Sequence, residues 1–217
     1  MKLLSLASRL PFTLMLFFLM AFFFVNIKKT DAKKRKARED FLEKERRANG
    51  TRRQSLDSVD FIVIPYDDLP MDVAVDDDMV NSCIHDIELM KNDKIANFTG
   101  ITNTDLKLEY GAPNITQLST FDANFTALCR ILQDWGERLF ELEEYEASLK
   151  VVEFAIRIRS DVSATYYLCA ELYEHFDTKE KIARLKRTAQ TLNSAMQPII
   201  CRKLDELYPD ISDIDTV

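Results

Sequence analysis

The stretch 135-WGERLFELEEYEASLKVVEFAIRIRSD-161 decides how the chain folds. It carries a Trp-Gly pair at Trp135 and Gly136, then Tyr145, then Ala155. From Asn124 the apolar positions run Leu128, Ile131, Leu132, Trp135, Leu139 and Phe140. That spacing of three or four marks one face of a helix. The pattern breaks at Glu141 to Glu144, and a second stripe follows at Tyr145, Leu149, Val152 and Ile156, flanked by Ser148, Val151, Ala155 and Ile158. A face this wide suits a helix sandwiched between two others rather than one packed on a single neighbour.

A shift of 34 residues tests whether the pair recurs. It carries Leu132, Trp135, Gly136, Leu139, Ala155 and Ile158 onto Tyr166, Cys169, Ala170, Tyr173, Ala189 and Leu192. Large falls on large and small on small, with Trp135 against Cys169 the exception. Small side chains at Gly136 and Ala170, and at Ser148 and Ala155 from the other side, let paired helices approach closely. A helix pair repeating every 34 residues is the period of the tetratricopeptide repeat, and Asn124 to Leu192 resembles that family. The first copy departs from the family by Ser148 in place of the usual Ala, and by Ser160 where a helix-ending Pro is common. The second is degenerate, with Ile182 where a small residue is expected. An unrelated antiparallel helical bundle would show the same stripes, and either way the body is helical.

The resemblance implies that the first helix of each repeat lines a concave groove. Carried onto this chain, the lining is Arg130, Gln133, Glu137, Phe140 and Glu141, then Tyr167, Glu171, Glu174 and His175. Each set shares a helix face by spacing alone. The set is acidic with two aromatics, so a basic extended or helical peptide is the partner it implies; the plainer reading is a solvated charged face. Lys179, Lys181, Arg184, Lys186 and Arg187 form a basic face on the second helix, able to meet the acidic linker (54–78) or another protein.

The N-terminus has a different character. After a short flank (1–9), Leu10 to Ile27 is eighteen residues without a charge, just enough to cross roughly 30 Å of hydrocarbon as a helix. No small-x-small cleavage site follows, which favours an uncleaved anchor over a signal peptide. Lys2, Arg9 and the terminal amine precede the span, while seven cations from Lys28 to Arg38 follow it, so the positive-inside rule predicts a cytoplasmic C-terminal side. Cys83, Cys129, Cys169 and Cys201 show no CxxC spacing and fit a reducing compartment. Asn49, Asn97, Asn114 and Asn124 head glycosylation triplets, which would matter only if the body faced a secretory lumen.

Beyond the span, 28–53 holds twelve Lys/Arg against five Asp/Glu and reads as a basic juxtamembrane helix, a spacer able to touch anionic lipid. Without interleaved aromatics it does not read as a nucleic-acid site. Residues 54–78 read as an acidic linker broken by Pro65 and Pro70, with Asp76 to Asp78 capping a helix that starts near Met79. Residues 79–113 then hold that helix and a turn-rich connection, 114–209 the helical-repeat domain and 210–217 an acidic tail. About three repeats are usually needed for stability. The helix near Met79, the segment Asn114 to Ser119 and a last helix over Met196 to Leu207 are therefore expected to close the stack. The expected fold is all-α: one N-terminal transmembrane helix, a linker, and a tetratricopeptide-like antiparallel repeat domain.

No catalytic motif is present. His85 and His175 lack ligand spacing, four glycines leave no phosphate loop, and no GxSxG occurs. The expectation is a non-enzymatic, cofactor-free interaction module, single-pass in the cell membrane with its body cytoplasmic, tethering a protein or peptide. The alternatives are an accessory subunit acting through its transmembrane helix, an enzyme with an unrecognised site, and an extracytoplasmic body.

Overall fold

The computed structural model describes residues 2–211, without the side chains of residues 2–17, 21, 25 and 32. The described chain is all-α: α1 (Lys2–Asn49), α2 (Asp78–Leu89), α3 (Asn103–Tyr110), α4 (Ile115–Glu141), α5 (Tyr145–Arg157), α6 (Ser163–His175), α7 (Lys179–Gln190) and α8 (Gln197–Leu207). Of the expected acidic tail, everything from 212 onward lies outside the described residues.

The expected span falls inside α1, but most of its side chains lie outside the described set. Among the described residues no helix is long and apolar enough to cross a membrane. From Phe18 to Ile27 the large apolar side chains that are described are exposed, Phe18 at 70% and Met20 at 66%. The helix runs on unbroken through the basic segment, whose described side chains from Lys28 to Glu43 are exposed.

Its last turns are not a loose spacer. Ala48 is buried, Lys44 Nζ meets Asp105 Oδ1 at 2.6 Å, and Lys107 Nζ donates to Asn49 Oδ1 at 2.8 Å. Thr104 hydrogen-bonds Glu45. Where the chain leaves α1 it presses on Gly111: a Cβ there would stand 2.2 Å from the Arg52 carbonyl oxygen, and Gly111 has φ +90°. Only glycine meets both demands at low cost. The helix α3 itself lies in what reads from sequence as a turn-rich connection. Thr102 caps it by accepting from the Asp105 amide, and Gly111 ends it.

Residues 54–78 are a second correction. They are not a linker but a packed segment, in which Val59, Ile64 and Leu69 are buried. Asp60, Asp67, Asp68, Asp72, Asp76 and Asp78 stay exposed, as do Val63 and Val75, while Ile64 and Leu69 between them turn inward. The acidic composition therefore describes only the outer side. Phe61 forms an isolated antiparallel bridge with Ala96, and Ile62 N donates to Ile95 O at 2.9 Å. Pro65 ends this extended piece, and Tyr66 OH then reaches the Ile87 carbonyl at 3.1 Å. Asp77 caps α2, its side chain accepting from the Met79 and Val80 amides.

The stretch from Trp135 to Asp161 comprises the end of α4, a tight turn and α5. Trp135, Leu139, Ser148, Val151, Val152 and Ala155 are fully buried between them. The turn places Glu143 at φ 63°, with Glu144 N bonded to Leu139 O at 2.9 Å. Thirty-four residues on, Asp177 has φ 52° and Thr178 N bonds Tyr173 O at 2.8 Å. The helix-ending motif, a left-handed residue that satisfies the last carbonyls, is thus repeated bond for bond. The same step carries the start of α5 to that of α7, and the start of α6 to that of α8.

α2 and the 59–71 segment cover one side of α4, while α8 covers α6 and α7. The α4 helix begins at Ile115, well before the apolar stripe that marks it in sequence. Its first turns carry Leu118 and Phe121 into a small third core with Phe98, Leu106 and Tyr110.

The α4–α5 pair meets at Gly136, where a Cβ would lie 2.7 Å from Val152 Cγ2. Alanine there gains about 1 kcal/mol of helix propensity but meets an overpacking cost of about 1–3 kcal/mol. Gly136→Ala should therefore lower stability by about 1 kcal/mol in chemical denaturation, and adding Val152→Ala should recover part of that loss. A Gly136→Ala protein more stable than the parent would show that the close approach is not a constraint.

Candidate functional site

The groove set inferred from the repeat divides into two groups. Glu137, Glu141, Glu171, Glu174, His175 and Arg130 are exposed, whereas Phe140 and Tyr167 are half-buried. Gln133 is buried, its Oε1 accepting from Thr165 Oγ1 at 2.7 Å and its Nε2 donating to Glu137 Oε2 at 3.3 Å. It is a seam residue joining α4 to α6 rather than groove lining. A buried amide needs partners, and Thr165 on the neighbouring helix supplies one. The packing set is buried but divides between two cores, with Leu132, Trp135, Leu139 and Ala155 in one and Tyr166, Ala170, Tyr173 and Ala189 in the next; Gly136 and Ser148 are buried at the α4–α5 seam, and Tyr145 is half-buried against the second core.

Glu137 and Glu171 sit at the same repeat position on α4 and α6, and Asp205 on α8 stands one further step along. Asp205 is already met by Lys186 Nζ at 3.0 Å. Glu174 accepts from Tyr208 OH at 3.2 Å, and the charges of Glu174 and Glu171 help burial push the Tyr208 phenol up to about 12. Tyr208 escapes the sequence reading, although it lies 34 residues after Glu174. At the turn end of the face the His175 ring lies 4.1 Å from that of Tyr145, which meets Phe140 edge-on at 5.3 Å.

Glu141 is less available than its exposure implies. Arg138 Nη1 donates to Glu141 Oε2 at 2.7 Å, while Nη2 holds Asp77 Oδ2 at 2.7 Å and Nε contacts both Asp77 oxygens. One guanidinium thus ties the cap of α2 to the end of α4. Among the described residues, the acids of this set that no Lys or Arg pairs with are Glu137, Glu171 and Glu174.

Other groups offer little reactive chemistry. The four cysteines are unpaired. Burial pushes the Cys129 and Cys169 thiols up to about 12 and that of Cys83 to about 11, so all three stay protonated at neutral pH. Among the described residues no group of three His, Cys, Asp or Glu is placed to hold a metal ion.

Three of the four sequon asparagines use the amide nitrogen that a glycan would need. Asn114, buried, donates to the Gln54 and Tyr110 carbonyls at 2.9 and 2.7 Å. Asn97 donates to the carbonyls of Ile158 and Arg159, and Asn124 to that of Lys94.

No protein-family model, curated protein or solved structure matches the chain.

The Asp77–Arg138 contact makes a pH prediction. Arg138 hydrogen bonding, with the helix amides, holds the Asp77 carboxyl down at about 2 from 3.8. A carboxylate more acidic in the folded than in the unfolded state stabilises the fold above its unfolded pKa. That contribution drains as pH falls from about 4 to about 2. In melting experiments, the Tm difference between the parent and Asp77→Asn should be constant near neutrality and shrink across that acid window. A difference that stays constant through the window would disprove the assignment.

Proposed function

We propose that the chain is a single-span, membrane-anchored docking module. In this reading its tetratricopeptide-like stack faces the cytoplasm and holds a basic segment of a partner protein. The observation that carries it is the acidic row: Glu137 and Glu171, exposed 34 residues apart on the alternate helices α4 and α6, with Glu174 and the Tyr208 hydroxyl beside them. Carboxylates at a fixed helix-to-helix spacing form a field that steers and aligns cations on a passing chain. The half-buried rings of Phe140, Tyr145 and Tyr167 would take up the aliphatic stems of lysine or arginine.

The anchor reading draws on the uncharged run Leu10 to Ile27 and on the exposed apolar side chains from Phe18 to Ile27, which call for an apolar surrounding. Phe24, with Lys28 Nζ 4.7 Å from its ring centroid, fits the boundary between hydrocarbon and headgroup. Cations on the exposed stalk would each contribute on the order of 1 kcal/mol against anionic lipid. A cytoplasmic body agrees with the charge bias across the span, with unpaired buried thiols, and with sequon amides committed to backbone carbonyls. Because α1 docks on α3, the stalk would present the body at a set attitude to the bilayer.

The test is crosslinking capture from native membranes, comparing the intact chain with Glu137→Lys/Glu171→Lys, followed by affinity measurement on the purified partner. The double variant should lose the partner, with affinity down at least about tenfold, equivalent to roughly 1.4 kcal/mol. Identical partners and affinities for both proteins would exclude the acidic row as the working surface.

A further inference from the structure

We propose that the opposite flank of the stack carries a second docking site, which takes an extended acidic segment of a partner protein as an added β-strand. Two contiguous clefts, of about 590 and 430 Å³, run along α5 between the 60–69 segment and the α7 helix with the loop after it. One wall of the smaller cleft is the extended piece Phe61 to Val63, and Pro65, Asp68 and Leu69 continue it along the larger. The inner edge of the extended piece is taken, since Ile62 N bonds Ile95 O. In an extended chain the next residues direct their backbone groups the other way. The amides and carbonyls of Phe61 and Val63 have no hydrogen-bond partner among the described residues, and Val63 is 82% exposed. Two donors and two acceptors thus line one rim of the cleft. An unpaired edge with a bare β-branched residue is a template for strand addition.

Charge selects the occupant. Lys150, Arg157, Arg159 and Arg184 line the clefts. Lys150, Arg157 and Arg184 make no ion pair among the described residues, and Arg159 donates only to the Thr191 hydroxyl and carbonyl. Glu153 on the floor is already occupied by Tyr173 OH at 2.9 Å and Lys181 Nζ at 3.3 Å. Asp60 and Asp68 stand on the strand side, leaving the helical wall positive in a chain whose net charge is −7. A segment that pairs its backbone with Phe61 and Val63 would therefore bring its side chains to a basic wall, and acidic side chains fit it.

The test uses the full chain in detergent micelles and a fluorescein-labelled peptide of alternating Asp and Val, read by anisotropy, with the alternating Lys-Val peptide as control. The Asp-Val peptide should bind and the Lys-Val peptide should not. Arg157→Glu/Arg184→Glu should weaken binding at least about tenfold. Val63→Pro should do the same with an unchanged melting temperature, because the amide it removes is unpaired and the residue before it is already extended. Glu137→Lys/Glu171→Lys should leave this binding unchanged, which separates it from the acidic row. Undiminished binding to Val63→Pro would mean charge attraction without strand addition and would overturn the proposal. So would equal binding of the Lys-Val peptide. If deleting residues 212–217 raises the affinity about tenfold, the chain's own tail is the occupant and the partner assignment fails. Self-association lost in Arg157→Glu/Arg184→Glu would likewise replace the partner with a second copy.

Discussion

The close approach of α4 and α5 at Gly136 is the constraint on which the rest of the stack depends. Ser148 Oγ donates to the Gly136 carbonyl at 2.7 Å inside the seam, and both residues are buried. The glycine removes the side chain that would hold the helices apart, and the serine joins them through a carbonyl of α4. With the gap closed, Trp135 and Leu139 are fully covered. The Trp135 Nε1 and Tyr166 OH groups are enclosed without a hydrogen-bond partner among the described residues. An unsatisfied polar atom costs about 1–3 kcal/mol. An aromatic side chain burying roughly 150–250 Å² at about 25 cal/mol/Å² gains roughly 4–6 kcal/mol. Burial wins, so the seam tolerates both atoms.

The next pair repeats the geometry with different means. Ala170 stands where Gly136 does, and Ile182, fully buried, replaces Ser148. The hydroxyl bond is gone, and Ile182 joins Ala170 in an apolar core instead. The turns keep their form because they depend on backbone: Glu143 and Asp177 both take the left-handed conformation without being glycine. That conformation disfavours most side chains, yet the Schellman bonds around each turn recover carbonyls that would otherwise be orphaned. The flanks are closed by other means. On one side α2 and the 59–71 segment supply the cover, and on the other α8 begins one full repeat after α6 and buries Ile200 and Leu204.

What was legible from the sequence follows from these mechanisms. Helix stripes, the register of Leu132 with Tyr166 and the small residues at Gly136 and Ala170 can be read because burial of one face imposes a period. The packed nature of 54–78 cannot be read the same way. Its inward residues, Val59, Ile64 and Leu69, stand five apart, a step that fits neither the helix nor the strand period, and acids between them dominate the composition. Its single backbone bridge goes to Ala96, far along the chain, so no local pattern announces it. The short α3 was hidden by its size and its neighbouring glycines, although Thr102 and Asp105 carry the cap signal. Helical spacing grouped Gln133 with the exposed Arg130 and Glu137 but could not show that Thr165 would cover it. Arg138 and Glu141 stand three residues apart on α4, a spacing the sequence does show, but Asp77, the other partner of Arg138, is chosen by tertiary contact.

One stack can hold two surfaces of opposite charge only if its own charges are kept from cancelling, and the ion pairs show how this is done. Lys186 is drawn back to Asp205, and Lys181 to Glu153. Arg138 is spent on Asp77 and Glu141 at the α2 end. Each pair satisfies a charge that would otherwise be left without a partner on the surface of the stack. The acids remaining on the α4–α6 side are Glu137, Glu171 and Glu174, and the cations remaining along α5 and α7 include Lys150, Arg157 and Arg184. Exposed pairs of this kind add little to stability. Their effect here is to sort the surface, so that a net charge of −7 is distributed as an acidic row on one side and a basic cleft on the other. Two partners of opposite charge could then be held at once by a body whose attitude is set by the docking of α1 on α3.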